Sequence, residues 1–322
     1  MRRSRPARLM VLSAVVLVAV SSCTGSPGAD RPHEGSSTAS VPSATPRAVG
    51  DPQRYVDPIT DRVDAHTDVA FASVPELRSD APIVLSLDWY EPAGDTSRAR
   101  PAIVWIHGGG FFQGSRAEVT EVAEAWAARG YVTVNIDYRI DPGSRCMQLN
   151  GLTGAERAAE TARCREVMTA AMHDAQAAVR WVRADAEMLG VDPSRIAVAG
   201  FSAGALTAVH VAQRSDDPGT VGAALVQPSS VSAALAASGC SAELSTIGAD
   251  DAPVFLLASE FDRSVPFSCT TATEQRLVSI GTAPATLYFM GQSDHALTLY
   301  RRHRAEVDAA WATFLVDRLD LR

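Results

Sequence analysis

The stretch AVAGFSAG, residues 197–204, places one serine, Ser202, at the centre of a G-x-S-x-G pattern. It continues an apolar run typical of a buried strand and leads directly into the helical pattern AGALTAVHVAQRS. In that setting the pattern predicts a nucleophile elbow, a turn so tight that the neighbouring side chains must be small. Such a turn presents the Ser202 hydroxyl at the carboxyl end of the sheet, where open α/β sheets bind their ligands.

Three consecutive glycines follow the apolar run AIVWI and a histidine, about 95 residues before Ser202. Glycine weakens a strand or helix by roughly 0.5–1 kcal/mol relative to alanine, so the run needs a reason. A serine that attacks a carbonyl creates a negative oxygen, which backbone N–H groups can stabilise if no Cβ blocks their approach. We predict that the N–H groups of Gly108, Gly109 and Ala203 form this oxyanion hole and that His107 holds the loop. A loop that only turns the chain is the alternative.

Short apolar runs alternate with helix-period stretches from about residue 55 onward. The candidate strands are DVAFASV, IVLSLDWYEP, AIVWIHG, VTVNIDY, IAVAGFS, AALVQPS, VFLLASE and ATLYFM. This alternation predicts an α/β fold, a mostly parallel eight-stranded sheet with helices on both faces. Because no helix separates the first two runs, we expect an antiparallel start. Residues 55–322 are therefore predicted to form one catalytic domain.

Four motifs together resemble the α/β-hydrolase superfamily: HGGGF, DYR, RWVR…LGVDPSRIAVAGFSAG and EFDRSVP…DHA. Residues 80–315 are most similar to carboxylesterases related to hormone-sensitive lipase and to secreted esterases. The resemblance implies the α/β-hydrolase fold and hydrolysis of carboxylic esters without a metal or organic cofactor. Many relatives insert a lid where this chain has the short segment 230–253, so we expect a small lid or none. The longer segment 140–172 should line one side of the site.

The resemblance also implies the chain order serine, acid, histidine. The acid should follow a later strand, where EFDRSVP offers Glu260 and Asp262, and the pattern D-x-x-V-P favours Asp262. The base should lie in the loop after the next strand, where ATLYFMGQSDHAL places His295. Asp294 is adjacent to that histidine and should point elsewhere. We expect packing, surface or loop-anchoring roles for the other residues considered: His173, His210, His303, Asp88, Asp137, Arg139 and Asp174.

The roles follow from the residue types. His295 would take the proton of Ser202 and return one to the leaving group, while Asp262 fixes the tautomer of the imidazole ring. Ser202 would form an acyl-enzyme that water then hydrolyses. An amidase, peptidase or formamidase that uses the same residues is the first alternative. A non-catalytic surface-binding protein that kept the fold is the second.

The N-terminal residues are typical of an export signal. A cationic start, MRRSRPAR, precedes the apolar run Leu9–Val20, which is too short to span a bilayer comfortably. The residues VSSC resemble the lipobox of bacterial lipoproteins, which predicts removal of residues 1–22 and lipidation of Cys23, with ordinary secretion as the alternative. Residues 23–54 are rich in Ser, Thr, Pro, Gly and Ala and are predicted to be a flexible tether that holds the domain off the membrane.

Four further cysteines agree with export, because disulfides persist outside the cytoplasm. Three pairings are possible, and we favour Cys146–Cys164 and Cys240–Cys269 because each pair brackets one local excursion of the chain. Buried free thiols are the alternative. No pair has metal-ligand spacing with a histidine, so a zinc site is not expected. The formal net charge of −8 argues against nucleic acid as a partner, and the sequence leaves the oligomeric state open.

Overall fold

The structure is a computed structural model that describes residues 53–79, 81–215 and 226–321. The predicted signal peptide, the lipidation site at Cys23 and all but two residues of the predicted tether lie outside these ranges. Arg54, the last residue of the predicted tether, already belongs to the folded unit, because its guanidinium binds the carboxylate of Asp95. Among the described helices, none combines the length and the apolar composition that crossing a bilayer requires.

Eight strands of the described residues form one sheet. The strands are β1 (Val63–Pro75), β2 (Pro82–Pro92), β3 (Arg100–Ile106), β4 (Val132–Ile136), β5 (Val191–Phe201), β6 (Ala233–Ala237), β7 (Val254–Ser259) and β8 (Ala285–Phe289). Their order in the sheet is β1-β2-β4-β3-β5-β6-β7-β8. β2 pairs antiparallel with both β1 and β4, and all the other neighbours are parallel. The predicted mostly parallel sheet with an antiparallel start is therefore confirmed.

Helices cover both faces of the sheet, as its buried strands require. The helices are α1 (Thr120–Ala127), α2 (Gly154–Ala184), α3 (Ala186–Leu189), α4 (Ala203–Gln213), α5 (Phe267–Ser279), α6 (Ala296–Arg302) and α7 (Arg304–Arg318). Side chains alternate along β3, so that Val104 packs in the core beneath α2 and α4 while Trp105 packs in the core beneath α1 and α7. Three 3-10 segments span Arg116–Val119, Cys146–Gly151 and Leu244–Thr246.

A cluster of buried aromatic rings lies behind the end of β5. The ring of Phe201 is 6.0 Å from that of Trp105 and 5.7 Å from that of Tyr300, and Tyr300 stacks on Trp311 at 5.2 Å. Phe201 precedes Ser202, whereas Tyr300 belongs to α6, which begins directly after His295. Large rings bury much apolar surface and pack in restricted geometries. The cluster therefore fixes the strand that carries the serine relative to the helix that follows the histidine.

The position predicted for the sixth strand is wrong. The described part of AALVQPS, residues 226–229, is not a strand, and β6 consists instead of AALAA at Ala233–Ala237. Alanine has little intrinsic preference for strands. These alanines form one because they lie between β5 and β7 in the middle of the sheet, where all five are buried and small side chains let α4 pack closely. The segment 230–253 therefore contains a core strand.

Two disulfides join the four cysteines in the pairing favoured from the sequence. Cys146–Cys164 ties a 3-10 segment to α2, and Cys240–Cys269 ties the loop after β6 to the first turn of α5. The Glu160 side chain lies beside the first bridge. Because the two sulfurs there are bonded to each other, they offer no thiolate to a metal ion.

Candidate active site

Ser202 lies in a strained turn between β5 and α4. Its φ of +55° falls in the left-handed region, which costs a non-glycine residue roughly 1–3 kcal/mol. A Cβ on Gly200 would lie 2.2 Å from the carbonyl oxygen of Gly204, and one on Gly204 would lie 2.2 Å from that of Ile106. Neither approach leaves room for a side chain. The two glycines of G-x-S-x-G are thus required by the contact of α4 with β3 and with the turn itself.

Three side chains from distant parts of the chain meet at the carboxyl end of the sheet. The Nε2 atom of His295 is 2.8 Å from the Oγ atom of Ser202, and its Nδ1 atom is 2.7 Å from Oδ2 of Asp262. Both distances are those of good hydrogen bonds. Asp262 follows β7, and His295 follows β8 and immediately precedes α6, as the sequence predicts. A carboxylate, an imidazole and a hydroxyl in this order can move a proton off the serine.

The Asp262 carboxylate is buried, with 1% of its side chain exposed, and fully hydrogen-bonded. Its Oδ1 atom accepts the backbone N–H groups of Ser264 (2.8 Å) and Val265 (3.1 Å), which leaves Oδ2 for the ring of His295. Burial alone would raise the pKa of Asp262. These hydrogen bonds and the neighbouring imidazole outweigh that effect, so the pKa lies below its usual range. The carboxylate is therefore ionised at neutral pH.

The two other acids near the histidine have other partners. Oε2 of Glu260 accepts the backbone N–H of Gly291 at 2.8 Å, and Oδ2 of Asp294 is 2.6 Å from Nη1 of Arg302. Neither residue is a hydrogen-bond partner of the His295 ring. The geometry thus brings the acid that the sequence favours, Asp262, to the ring of His295.

The three histidines that the sequence assigns to packing or surface roles, His173, His210 and His303, lie outside this group. His210 is buried in α4, where its Nε2 atom accepts the N–H of Ala242 at 3.2 Å. Burial, with a smaller effect from the charge of Arg214, lowers the pKa of His210 to about 4, so the ring is neutral. His303 lies between α6 and α7, where it stacks on Phe289, and His173 lies within α2.

Two buried serines that the sequence analysis missed hold the backbone on either side of His295. The hydroxyl of Ser259 donates to the carbonyl oxygen of Asp294, and Oγ of Ser238 accepts the N–H of Ala296 at 2.8 Å. The two peptide groups flanking the imidazole are therefore tied to the ends of β7 and β6. No signal in the sequence marks these serines, because serine is common in the loops of this chain.

The loop after β3 is shaped around Gly108 and Gly109. Gly109 has a φ of +102°, and a Cβ there would lie 1.9 Å from the carbonyl oxygen of Gln113. A Cβ on Gly108 would lie 3.5 Å from Cβ of Ser202, so this backbone runs directly beside Ser202. Phe112 and Gln113 donate their N–H groups to the carbonyl oxygen of Gly109 at 3.1 and 3.2 Å.

His107 supports this loop from behind, in the role that the sequence predicts. Its Nδ1 atom is 2.7 Å from the carbonyl oxygen of Gly108, and its ring stacks on Tyr138 at 4.3 Å. The Tyr138 hydroxyl donates to the same carbonyl oxygen at 3.0 Å. Burial lowers the pKa of His107, so the ring is neutral and donates from Nδ1. The Gly108 carbonyl is thereby held in place.

An open cleft of about 340 Å³ lies above Ser202. Met147, in the disulfide-bonded 3-10 segment, contributes to its wall, so segment 140–172 lines one side of the site as expected. Several wall residues lie close to the glycine loop in sequence, and adjacency to HGGG could have identified them. The lining residues that the sequence analysis did not name are Gly110, Phe112, Gln113, Glu118, Val119, Met147, Phe201, Ser264, Ala296, Leu297 and Thr298.

The sequence predicts loop-anchoring roles for four charged residues, and all four form ion pairs outside the cleft: Asp88, Asp137, Arg139 and Asp174. Asp88 and Asp137 both bind Arg116, which anchors the 3-10 segment after the glycine loop. Arg139 binds the buried carboxylate of Asp174 at 2.8 Å, and Asp174 Oδ2 also accepts the Arg139 N–H. Burial raises the pKa of Asp174 against the opposing effect of Arg139. These pairs fix the loops that follow β3 and β4.

The Cys240–Cys269 disulfide joins the loop after β6, whose Ser238 binds the backbone next to His295, to the helix that follows the Asp262 loop. We expect replacement of both cysteines with alanine to lower Tm by roughly 5–10 °C, because a disulfide typically contributes about 2–4 kcal/mol. We also expect kcat to fall, since α5 follows the Asp262 loop directly and Ser238 of the cysteine loop holds Ala296. Thermal melts and turnover of a short-chain ester measure the two effects.

Removal of the other disulfide is the matched control for this prediction. The Cys146→Ala, Cys164→Ala protein should also lose stability, but its effect on turnover should depend on the size of the substrate, because that bridge holds the cleft wall. Unchanged activity and unchanged Tm after loss of Cys240–Cys269 would contradict the proposed role of this disulfide in holding the Asp262 loop and the backbone next to His295.

Two family models match complementary parts of the chain. One, described as alpha/beta hydrolase fold, matches residues 164–297, and the other, described as BD-FAE, matches residues 87–146. The first range contains Ser202, Asp262 and His295. The second contains Gly108 and Gly109.

Several curated esterases and lipases are similar to part of the chain. The chain is 32% identical over 139 residues to esterase LipI of Mycobacterium tuberculosis, which is 43% of this chain and 36% of that protein. It is 35% identical over 120 residues to carboxylesterase NlhH of the same organism, covering 37% and 31%. Secreted lipase 5 of Gibberella zeae is 34% identical over 113 residues, covering 34% and 19%. The chain thus spans from about a fifth to just over a third of these relatives' length.

Solved structures of an esterase are similar over most of the chain. Esterase Est2 of Thermogutta terrifontis has a TM-score of 0.58 and 22% identity, covering 77% of this chain and 92% of that one. The same organism's esterase 2 phosphorylated by paraoxon has a TM-score of 0.59 at 22% identity, covering 79% and 94%. Similarity at this identity shows a shared fold.

Proposed function

We propose that this chain, which has the α/β-hydrolase fold, is a serine hydrolase that cleaves carboxylic esters through an acyl-enzyme. The observation that carries the proposal is the continuous hydrogen-bonded series from Asp262 through His295 to Ser202, with bonds of 2.7 and 2.8 Å beside a glycine loop. The names of the similar proteins, among them an esterase and a carboxylesterase, support ester hydrolysis over other reactions of this fold.

In the first half of the reaction, Ser202 attacks the ester carbonyl carbon. Its proton moves to Nε2 of His295 as the new Oγ–C bond forms and the carbonyl oxygen gains a negative charge. The imidazolium then gives the proton to the leaving alcohol oxygen as the C–O bond of the ester breaks. The strained φ of Ser202 holds Oγ above the turn, where the histidine and the substrate can reach it at the same time.

The developing oxyanion would accept hydrogen bonds from the N–H groups of Gly108, Gly109 and Ala203. Ala203 is the first residue of α4, and the first N–H groups of a helix have no acceptor within it and carry partial positive charge. The Gly108 backbone beside Ser202 and the anchored carbonyls of the loop support the other two assignments. Each such donor is typically worth ~10²–10³-fold in kcat.

In the second half, water hydrolyses the acyl-enzyme. His295 takes a proton from the water as its oxygen attacks the acyl carbon, and then returns a proton to Oγ of Ser202 as the Oγ–C bond breaks. Asp262 stays ionised throughout, keeps Nδ1 protonated and stabilises the imidazolium in both halves. The open cleft is compatible with small soluble esters and with acyl groups carried on a polymer.

The proposal is tested with short-chain p-nitrophenyl esters, matched p-nitroanilides and an organophosphate. We expect turnover of the acetyl and butyryl esters, slower turnover of the anilides, and covalent modification of Ser202 by paraoxon or a fluorophosphonate. Faster turnover of the anilides would indicate an amidase or peptidase instead. A folded protein that neither turns over an ester nor reacts with either phosphorylating agent would be a binding protein.

We also propose that the enzyme works outside the cytoplasm, held to the membrane by a lipid on Cys23. The lipobox-like VSSC, the composition of the tether and the two disulfides support this location. Metabolic labelling of the full chain with a radioactive fatty acid should mark the protein, and Cys23→Ser should abolish the label. Labelling that survives the substitution would refute the anchor.

A further inference from the structure

Glu118 places a fixed negative charge on the wall of the cleft. It lies in the 3-10 segment Arg116–Val119, which follows the glycine loop, and its side chain is exposed. Among the described residues that line the cleft, Glu118 alone carries a fixed charge. The others are glycine, apolar, amide or hydroxyl residues, together with the imidazole of His295.

Within the described ranges, no basic side chain neutralises this carboxylate. Arg116, two residues earlier, binds the carboxylates of Asp68, Asp88 and Asp137. The positive charge of this one guanidinium is therefore already shared among three carboxylates, and it does not neutralise Glu118. Together with Glu118, the three aspartates and Arg116 carry a formal net charge of −3 (four carboxylates and one guanidinium).

The field of Glu118 reaches through the glycine loop. Burial lowers the pKa of His107, and the Glu118 charge acts in the opposite direction. Burial raises the pKa of Tyr138, and the Glu118 charge raises it further. Both rings lie directly behind the loop. Because Coulomb energy falls only gradually with distance, a charge that acts on groups behind the loop also acts on a substrate in front of it.

Phe112 adds an aromatic ring to the same cleft. Its ring atom Cε1 is 2.7 Å from the point that a Cβ on Gly110 would occupy, so the ring packs on the glycine loop. The face of an aromatic ring attracts cations. The Phe112 ring is therefore compatible with a substrate group that carries a positive charge, which the Glu118 carboxylate attracts.

We propose that Glu118 makes the cleft selective for esters that carry a positive charge, over neutral esters of the same shape, and selective against anionic esters. The inference rests on the proposed esterase function and names the substrate class of that site. The same negative charge opposes the charge that develops on the oxyanion. Neutral esters should therefore be turned over slightly faster without it.

The test compares two esters of the same shape, acetylcholine and 3,3-dimethylbutyl acetate. The first has a positively charged quaternary nitrogen where the second has a neutral quaternary carbon. At low ionic strength, the ratio of their kcat/KM values should be about fivefold higher for the wild type than for Glu118→Gln. The wild-type ratio should fall towards that of the variant near 1 M salt, where the Debye length is about 3 Å. Glu118→Lys should reverse the preference.

Glu124→Gln is the matched control, because it removes the same charge from α1 at a residue that does not line the cleft. It should leave the ratio unchanged. If both esters are hydrolysed but neither Glu118→Gln nor salt changes their ratio, the selectivity proposal is wrong and the esterase proposal stands. If the folded wild type hydrolyses neither these acetates nor the p-nitrophenyl esters, the esterase proposal is wrong, and the selectivity proposal with it.

Discussion

Ser202→Ala should lower kcat for a short-chain ester by roughly 10⁴–10⁶-fold and abolish labelling by a fluorophosphonate. The alanine has no oxygen to form the acyl-enzyme, and His295 loses the group 2.8 Å from its Nε2 atom. Residues of a triad act as a unit, so removal of the nucleophile costs nearly as much as removal of all three. The residual rate would come from substrate binding and the oxyanion donors. Stopped assays with p-nitrophenyl butyrate and in-gel detection of the probe measure both effects.

Ser264→Ala provides the matched control for the loss of a hydroxyl. Ser264 lines the same cleft, but the contact that it makes with Asp262 uses its backbone N–H, which alanine keeps. Its kcat should stay within about threefold of the wild type. The Tm of Ser202→Ala should stay equal or rise slightly, because alanine removes a polar group from a strained turn. Ester turnover at the wild-type rate by a folded Ser202→Ala protein would rule out the proposed mechanism.

The parts of the site that the sequence made predictable are those fixed by covalent spacing and by backbone sterics. Gly200 and Gly204 leave no room for a Cβ, and the left-handed φ of Gly109 favours glycine. Such constraints appear as residue types at set intervals. Asp262 and His295 are predicted from the chain order and the D-x-x-V-P pattern that the resemblance to α/β-hydrolases implies. They can meet Ser202 because parallel strands deliver their following loops to one edge of the sheet.

The parts that could not be predicted depend on tertiary contacts. β6 consists almost wholly of alanine and becomes a strand only because its neighbours supply the hydrogen bonds and the cover. The serines that flank His295 in space, Ser238 directly after β6 and Ser259 at the end of β7, depend on a strand order that no local pattern fixes. The sequence predicts that segment 140–172 lines the site and favours the Cys146–Cys164 bridge, but that Met147 is the side chain that reaches the cleft depends on how the 3-10 segment packs on α2. None of these contacts leaves a local signal.

Asp262→Asn should lower kcat by about 10⁴-fold, and the reason lies in how the amide must orient. The N–H groups of Ser264 and Val265 both point at the position of Oδ1, so the asparagine oxygen will occupy that position. Its NH₂ group then takes the place of Oδ2, 2.7 Å from Nδ1 of His295. An N–H donor there forces Nδ1 to accept, which moves the ring proton to Nε2. A protonated Nε2 cannot take the proton of Ser202, and the same change in a triad is known to cost about 10⁴-fold.

Glu260→Gln also replaces a carboxylate with an amide, two residues away from Asp262. Comparing the two variants shows which of these acids acts on His295. The Glu260 carboxylate binds only the N–H of Gly291 among the described contacts, and a glutamine oxygen can accept that bond equally well. We expect kcat within about threefold of the wild type and an unchanged Tm. Both variants keep the shape of the side chain, so a difference between them reports the hydrogen-bond character of the group beside His295. A near-normal Asp262→Asn enzyme with an inactive Glu260→Gln enzyme would transfer the role of the acid to Glu260, and would require the loop after β7 to rearrange before catalysis.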